Sequence, residues 1–342
     1  MPVIRVFVVD DSPFVRKALR RVLAADPGLE VVGEAASGAD AIARIPAAEP
    51  DVVTLDIEMQ GMNGLQVLRQ LFAWRPDLQV IMLSAHTREG TEATLEALAI
   101  GAADFIDKKS LNLMDLERLG REMGERIRAL RPRMPAPRVR AVGQGNLPDL
   151  GGMEICVIGA STGGPAALQQ ILQQLPATFP LPIAIVQHMP PGFTRPFAAR
   201  LDGLCRLAVA EAVDGERLAP GRVVIAPAGS HLKLSSGLVT LVSADPAGAR
   251  HIPSVDVLFR SADRARPGKV LGILLTGMGE DGAEGLSVIR GRGGRTVAES
   301  EESCAVYGMP RAAVERGAAQ HILPLPAIAA ALAGLRQGTG EV

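Results

Sequence analysis

The stretch ICVIGASTGGP, residues 155–165, passes from an apolar run into a glycine-rich turn and ends on a proline. A short apolar run bounded by glycine is typical of a buried strand, and proline is favoured in the first turn of a helix. The stretch therefore predicts the strand, tight turn and helix that repeat in α/β proteins. Its residues 159–163 also match the G-x-S-x-G pattern, in which a sharp strand-to-helix turn projects the serine, here Ser161, at the sheet edge.

The same alternation of apolar runs and amphipathic segments continues on both sides of this stretch. Residues 1–130 contain five strand–helix repeats, and residues 152–342 contain a second series with a predicted β-hairpin at residues 231–241. Between them, residues 131–151 are rich in proline, glycine and arginine and are predicted to be a linker. The predicted fold class is α/β with two domains: an N-terminal (βα)5 domain with a parallel sheet, and a C-terminal doubly wound α/β domain with a mostly parallel sheet and a β-hairpin. The predicted strands are Val6–Val9, Leu29–Val32, Val52–Leu55, Val80–Leu83, Asp104–Ile106, Ile155–Gly159, Ile183–Gln187, Val223–Ala226, Val270–Leu275 and Gly294–Ala298.

Composition disfavours several classes of function. The chain has 342 residues, long enough for two hydrophobic cores, and a formal net charge of −1 that gives no basic field for nucleic acid. Aromatic residues make up only 3%, which disfavours base stacking, and the three cysteines form no C-x-x-C pair that would suit a thiolate metal site. No apolar run reaches the ~18 residues of a membrane span and the N-terminus shows no signal-peptide pattern, so we expect a cytoplasmic protein without membrane insertion.

Acidic residues follow two of the predicted strands in the first domain. Asp10 and Asp11 come directly after the first strand, and Asp56 comes directly after the third. The carboxyl ends of neighbouring strands in a doubly wound sheet form its ligand crevice, so we expect the three carboxylates to lie together. They suit Mg²⁺, which prefers oxygen ligands and keeps several waters. Lys108, after the fifth strand, would neutralise an incoming phosphoryl group, and Ser84, after the fourth, would donate a hydrogen bond to it.

On these residues, the segment 3–128 resembles the receiver domain of response regulators. The resemblance implies that Asp56 is the phosphoacceptor, that the phosphoryl group comes from a histidine kinase, and that the transfer needs Mg²⁺. The other roles that it implies are Mg²⁺ binding by Asp10 and Asp11 together with Asp56, contact with the phosphoryl group by Lys108, and relay of the switch by Ser84 and Phe105.

A serine nucleophile needs a base and an acid that orients the base. His188 follows the second predicted strand of the C-terminal domain, about one βαβ step after Ser161, so we expect both residues on adjacent strand ends. Asp281, in the glycine-rich loop after the fourth strand of this domain, is the candidate acid, and Glu280 is a rival. Asp281 could instead cap the helix that follows. The chain order Ser, His, Asp differs from the Ser, Asp, His order of α/β-hydrolases and argues against that fold.

Five runs in the C-terminal domain look like the chemotaxis protein-glutamate methylesterase family, CheB. The runs are residues 158–165, 187–190, 253–256, 275–282 and 304–310, and with the receiver domain the resemblance covers nearly the whole chain. The catalytic residues that it implies are the triad Ser161, His188 and Asp281, with the Met278 N–H as an oxyanion donor and Thr162 in a supporting role.

The activity that the resemblance implies is hydrolysis of glutamate methyl esters on chemoreceptors, with release of methanol. Family members often also deamidate receptor glutamines. The resemblance further implies that phosphorylation of the receiver domain controls the enzyme within a chemotaxis-type two-component pathway. No cofactor is expected in the esterase site, and His231 is expected to have at most an indirect role.

Two other functions fit parts of the chain. The glycine-rich loop at Ser161 could hold a phosphate or nucleotide in a receiver-controlled binding module, although neither G-K-[ST] nor G-x-G-x-x-G is present. This interpretation predicts that Ser161→Ala spares function, whereas the esterase interpretation predicts a severe loss. A transcription regulator is disfavoured because neither a helix-turn-helix pattern nor a basic face follows the linker.

Overall fold

The computed structural model describes residues 3–85, 87–108, 116–130, 150–245 and 248–335. The chain divides into two compact units, Met1–Ala136 and Pro137–Val342. The predicted linker, residues 131–151, lies outside the described residues except for its last two positions.

In the first unit, strands and helices alternate around one parallel sheet, as predicted. The strand order is β2-β1-β3-β4-β5, and every neighbouring pair is parallel. The elements are β1 (Ile4–Val9), α1 (Pro13–Ala24), β2 (Leu29–Ala35), α2 (Gly38–Ala48), β3 (Val52–Asp56), α3 (Gly64–Trp74), β4 (Gln79–Ser84), α4 (Arg88–Ile100), β5 (Asp104–Asp107) and α5 (Leu116–Ala129).

Local sequence explains where the helices of this unit begin and why its strands are central. Ser12 caps α1 by accepting a hydrogen bond from the Val15 N–H, and Asn63 and Gln66 form a capping box at the start of α3. Strands β3 and β4 are buried along their whole length, as expected for strands covered by helices on both faces. The strand order reverses between β1 and β3, which opens a crevice at their carboxyl ends.

The second unit is built on a seven-stranded parallel sheet of order β14-β13-β12-β6-β7-β9-β8, with a separate antiparallel pair, β10 and β11. The predicted hairpin and the doubly wound class are both confirmed. The elements are β6 (Ile155–Ala160), α6 (Gly164–Leu172), β7 (Ile183–Gln187), α7 (Thr194–Leu204), β8 (Ala208–Glu211), β9 (Arg222–Ile225), β10 (His231–Ser235), β11 (Val239–Ser243), α8 (Val255–Ala265), β12 (Val270–Leu274), α9 (Ala283–Gly291), β13 (Arg295–Glu299), α10 (Met309–Glu315), β14 (His321–Leu323) and α11 (Leu325–Ala333).

The strand order of this sheet reverses at its centre, where β12 and β7 flank β6 on opposite sides. All three strands are buried throughout, so the sheet at this point is a rigid platform within the core. The loops at the carboxyl ends of these three strands therefore share one crevice.

Within the described residues, no helix combines the length and apolar character that a bilayer crossing requires.

Candidate active site

The three strand ends at the centre of the second sheet bring the predicted serine and histidine side by side. Ala160 of β6 pairs with Gln187 of β7, so the next residue of each strand, Ser161 and His188, leaves the sheet at the same level. The His188 N–H also donates to the Ala160 carbonyl at 3.1 Å. On the other side of β6, the end of β12 supplies the loop that carries Asp281.

The turn that presents Ser161 is held from β12 and depends on close backbone approach. The Ser161 N–H donates to the Thr276 carbonyl at 3.0 Å, and the Ser161 carbonyl accepts from the Gly164 N–H at 2.8 Å. Gly163 has a φ of +79°, a left-handed value that favours glycine. At Gly277, an added Cβ would lie 2.3 Å from the Met309 Sδ and 2.8 Å from the Ser161 Cβ. A side chain at position 277 would therefore press on both Met309 and the serine turn.

His188 and Asp281 form a hydrogen-bonded pair, with 2.9 Å between His188 Nε2 and Asp281 Oδ2. An ionised carboxylate only accepts, so Nε2 carries the proton in this pair and Nδ1 is the free base of the neutral ring. Within the described residues, the Ser161 hydroxyl and the His188 ring form no hydrogen bond. Catalytic hydrogen bonds are often long in free enzymes and tighten when substrate binds, so the absence of this bond does not exclude a Ser161–His188 pair.

The Asp281 carboxylate is also held by the start of α8. It accepts from the Ser254 hydroxyl at 2.9 Å and from the N–H groups of Val255 and Asp256 at 2.8 and 3.1 Å. Burial works to raise the pKa of Asp281, but the hydrogen bond and charge of His188, aided by the two N–H groups, lower this pKa to about 2. The carboxylate is therefore ionised across the neutral pH range and can stabilise a positive charge on the imidazole.

The two acidic residues of this loop, Glu280 and Asp281, have different surroundings. The helix after Asp281, α9, begins at the Gly282 cap without a side-chain hydrogen bond, so Asp281 does not cap it. Asp281 instead accepts from two backbone N–H groups at the start of α8. Glu280, the rival acid, is exposed and forms an ion pair with Arg316 at 2.8 Å. Of the two acids, only Asp281 contacts His188.

The same loop contains a backbone N–H that has no acceptor within the described residues. The N–H groups of Thr276 and Gly277 are already engaged, with Glu299 at 2.8 Å and with the Val306 carbonyl at 3.0 Å. The next residue is Met278, and among the described residues no group accepts a hydrogen bond from its N–H. Thr162, the residue after the serine, accepts from the Thr276 hydroxyl at 2.9 Å through its carbonyl.

Several residues of this site were not assigned by the sequence. Gln187 donates from Nε2 to the Ser161 and His188 carbonyls at 2.9 and 3.1 Å and so fixes both turns. His251 stacks on the His188 ring with 4.7 Å between centroids, and burial, followed by the neighbouring His188 charge, lowers the pKa of His251. The only sequence signal for this part of the site was the run at residues 253–256, to which no chemistry could be attached.

In the first unit, the predicted acidic cluster forms at the ends of β1 and β3. Oxygen atoms of Asp10, Asp11 and Asp56 all lie within 4.8 Å of one another; Asp10 and Asp56 are buried and Asp11 is exposed. Lys108 Nζ lies 2.8 Å from Asp10 Oδ2 and 2.7 Å from Asp56 Oδ2. Burial, reinforced by the charge of Asp10, raises the pKa of Asp56 to about 6 although Lys108 acts in the opposite direction.

The donor set of this cluster fits a magnesium ion. All three residues offer carboxylate oxygens, the ligands that Mg²⁺ prefers, and the exposed Asp11 leaves room for water. Apart from the Lys108 ammonium, no polar group within the described residues satisfies the buried Oδ2 atoms of Asp10 and Asp56. Asp10, Asp11 and Asp56 are therefore the residues that could hold the ion.

The two remaining predicted residues lie on the next two strands of the sheet, β4 and β5. Ser84 ends β4 and is buried, and its hydroxyl accepts from the Thr94 hydroxyl at 2.6 Å. Phe105 lies on the neighbouring strand β5 and is also buried. Ser84 therefore contacts α4 through Thr94.

Comparison with known proteins identifies what the two units resemble. The family described as CheB methylesterase matches residues 156–332, and the response regulator receiver domain matches residues 6–119. A protein-glutamate methylesterase/protein-glutamine glutaminase 1 of Oleidesulfovibrio alaskensis is 43% identical over 363 residues, covering 96% of this chain and 98% of the relative. The corresponding protein 5 of Myxococcus xanthus is 45% identical over 339 residues, with 96% and 97% covered. The crystal structure of the Thermotoga maritima CheB methylesterase catalytic domain matches with a TM-score of 0.52 and 42% identity, covering 54% of this chain and 99% of that one.

Proposed function

The chain belongs to the CheB methylesterase family, and from this premise we propose that it hydrolyses glutamate methyl esters on chemoreceptors and deamidates receptor glutamines. The relatives carry both activities in their names, over nearly the whole length of this chain. The observation that carries the proposal is the His188–Asp281 pair at 2.9 Å, next to a serine on the adjoining strand end. We propose that it acts in the cytoplasm, where the phosphodonor kinase of such a pathway works.

The proposed reaction uses the three residues in turn. The Ser161 oxygen attacks the ester carbonyl while His188 Nδ1 takes the serine proton, and Asp281 stabilises the resulting imidazolium. The Met278 N–H donates to the oxyanion. The imidazolium then protonates the leaving methoxide, methanol departs, and water attacks the acyl-enzyme with His188 as base. A glutamine substrate follows the same course with ammonia as the leaving group.

The receiver unit is proposed to control this reaction. A histidine kinase supplies the phosphoryl group, Asp56 accepts it, and Lys108 contacts it, while Ser84 and Phe105 relay the change. A Mg²⁺ ion held by the carboxylates of this cluster would supply positive charge that neutralises the incoming phosphoryl group. Phosphorylation then shifts a two-state equilibrium between a less active and a more active form of the enzyme.

The simplest form of this control is occlusion, in which the unphosphorylated receiver covers the serine. Occlusion is suggested by the sequence, in which a short segment joins the receiver to a unit with all three triad residues. Removing residues 1–145 should then raise the rate of methanol release. Unchanged or lower release by the truncated chain, folded as judged by circular dichroism, would contradict occlusion.

The proposed activity is tested by methanol release from membranes that carry methylated receptors. Wild type and Ser161→Ala are compared with and without acetyl phosphate and Mg²⁺, and Ser236→Ala, which removes an exposed hairpin serine, is the matched control. We expect release that depends on Ser161, that the control retains, and that acetyl phosphate stimulates. Full release by Ser161→Ala, or none by wild type, would contradict the esterase and favour a receiver-controlled binding module.

A further inference from the structure

One carboxylate in the catalytic unit takes four hydrogen bonds, and three of them come from outside the predicted triad. Asp281 Oδ2 contacts His188 Nε2 at 2.9 Å and the Val255 N–H at 2.8 Å. Its Oδ1 contacts the Ser254 hydroxyl at 2.9 Å and the Asp256 N–H at 3.1 Å. The orientation of Asp281, and through it that of the base, is therefore set by the first residues of α8 and the residue before them.

The loop that carries Asp281 needs such support. Gly279 and Gly282 flank it, each with a positive φ, of +85° and +95°. Glycines give a backbone more accessible conformations than other residues do, so the loop alone restrains the carboxylate poorly. Two of the donors are instead backbone N–H groups of a regular helix, and the third is the hydroxyl of its N-cap residue, Ser254.

Ser254 is the only side chain among the three additional donors in the described structure. It is 3% exposed, and its own N–H donates to the ring of the fully buried His231 at 3.2 Å. Its hydroxyl has one proton, and the carboxylate at 2.9 Å is the acceptor for it. The same oxygen accepts from the Val257 N–H at 3.4 Å, a longer contact that caps α8. The hydroxyl thus has a catalytic-site contact and a structural contact that can be separated by substitution.

We propose that Ser254 is a positioning residue for the hydrolysis: its hydroxyl fixes the Asp281 carboxylate, which in turn fixes the His188 ring through Nε2 and leaves Nδ1 as the base. Buried His231 anchors Ser254 and gives the relay a rigid end in the core. The expected change in kcat rests on the proposed function. The expected change in the His188–Asp281 hydrogen bond does not depend on activity.

Three substitutions at this position separate positioning from helix capping. Ser254→Ala loses both contacts, Ser254→Thr keeps both, and Ser254→Asp keeps a capping oxygen but lacks the proton and places a second negative charge beside Asp281. A hydrogen bond to a charged group is worth about tenfold in an equilibrium, so we expect Ser254→Ala to lower kcat for methanol release by about tenfold with KM unchanged. We expect Ser254→Thr to stay within about threefold of wild type and Ser254→Asp to be the slowest, by about a hundredfold.

The matched control is Ser37→Ala, which removes a capping hydroxyl from α2 in the other unit. It should lower stability slightly and leave kcat unchanged. If capping alone mattered, Ser254→Asp would equal wild type, and that result would overturn the proposal.

A second measurement does not require turnover. The His188 Nε2 proton, held between nitrogen and carboxylate, should give a low-field ¹H resonance in the full chain that disappears in His188→Gln. We expect Ser254→Ala to shift or broaden this resonance and Ser254→Thr to restore it. An unchanged resonance in Ser254→Ala would overturn the positioning role, whether or not the wild type releases methanol. Absence of methanol release by the wild type would count against the proposed function and not against the positioning role.

Discussion

Replacing Asp281 with asparagine tests the double role of this residue as orienting acid and helix cap. Asparagine has the same shape, but it offers one accepting oxygen where the carboxylate accepts on both. If the amide nitrogen takes the place of Oδ1, the Ser254 hydroxyl can rotate, but the Asp256 N–H loses its acceptor. If the amide nitrogen takes the place of Oδ2, the Val255 N–H loses its acceptor and the His188 ring is driven to the other tautomer.

The structure sets the expected magnitudes. Either orientation leaves at least one backbone N–H without an acceptor, which costs about 1–3 kcal/mol, and removing the charge from the start of a helix adds about 1 kcal/mol. We therefore expect the free energy of unfolding of the catalytic unit to fall by about 2–4 kcal/mol. Loss of the orienting carboxylate in a serine triad lowers kcat by about 10⁴-fold, and a similar loss of methanol release is expected for Asp281→Asn.

The stability difference should depend on pH in a defined direction. Because the pKa of Asp281 is lowered to about 2 from an ordinary value of 3.8, the carboxylate stabilises the fold fully above pH 4. This contribution, about 2 kcal/mol, is lost as the pH falls from 4 towards 2. Asparagine does not titrate, so the wild type should lose its advantage over Asp281→Asn across that window.

Urea denaturation followed by circular dichroism, at pH 7 and between pH 4 and 2, measures the effect on stability. The control is Glu280→Gln, the neighbouring exposed acid, whose surface ion pair with Arg316 is worth under about 1 kcal/mol. The reasoning would be refuted if Asp281→Asn were as stable as wild type at pH 7, or if the difference between them stayed constant down to pH 2.

Two further substitutions test the serine turn and the acidic cluster. Gly277→Ala places a Cβ 2.3 Å from the flexible end of Met309 and 2.8 Å from the Ser161 Cβ, so we expect kcat for methanol release to fall at least about tenfold with unchanged circular dichroism. The control Gly203→Ala, which meets nothing within 4 Å, should have no effect. If Gly277→Ala had the kcat of the wild type, the close approach of position 277 to Ser161 would be contradicted. Lys108→Met leaves the buried Asp56 without its cation, so we expect a melting temperature below that of the wild type. Added Mg²⁺ should raise this melting temperature more than it raises that of the wild type. We also expect phosphorylation by acetyl phosphate, measured by intact mass, to be at least about tenfold slower. An equal response to Mg²⁺ in both proteins would contradict this account of the cluster.

Elements with a local signal were predictable from the sequence. The run before Ser161 and its glycine-rich turn predicted β6 and the start of α6, and the pattern of buried apolar runs predicted the central strands of both sheets. The strands that escaped prediction, β8 and β14, are four and three residues long and lie at the sheet edges. Edge strands this short carry too few buried positions to form a pattern.

The support of the site was less predictable than its centre, because it comes from residues distant in sequence. Glu299 belongs to an acidic run, 299–302, that is typical of a solvated loop, yet it is fully buried and accepts the Thr276 N–H at 2.8 Å. Likewise, the donors that hold Asp281 come from residues about 25 positions earlier. Such contacts depend on which loops meet at the centre of the sheet, and a single sequence does not contain that information.

The central claim is that Ser161 and His188 act as one catalytic unit, and non-additivity of their substitutions tests it most directly. The measurement is kcat for methanol release by Ser161→Ala, His188→Ala and the double variant, with folding checked by circular dichroism. Members of a serine triad are grossly non-additive, so the account predicts that the double variant equals Ser161→Ala within about twofold. A double variant slower than Ser161→Ala by the full factor that His188→Ala alone produces would show that the two residues act independently, and would contradict the account.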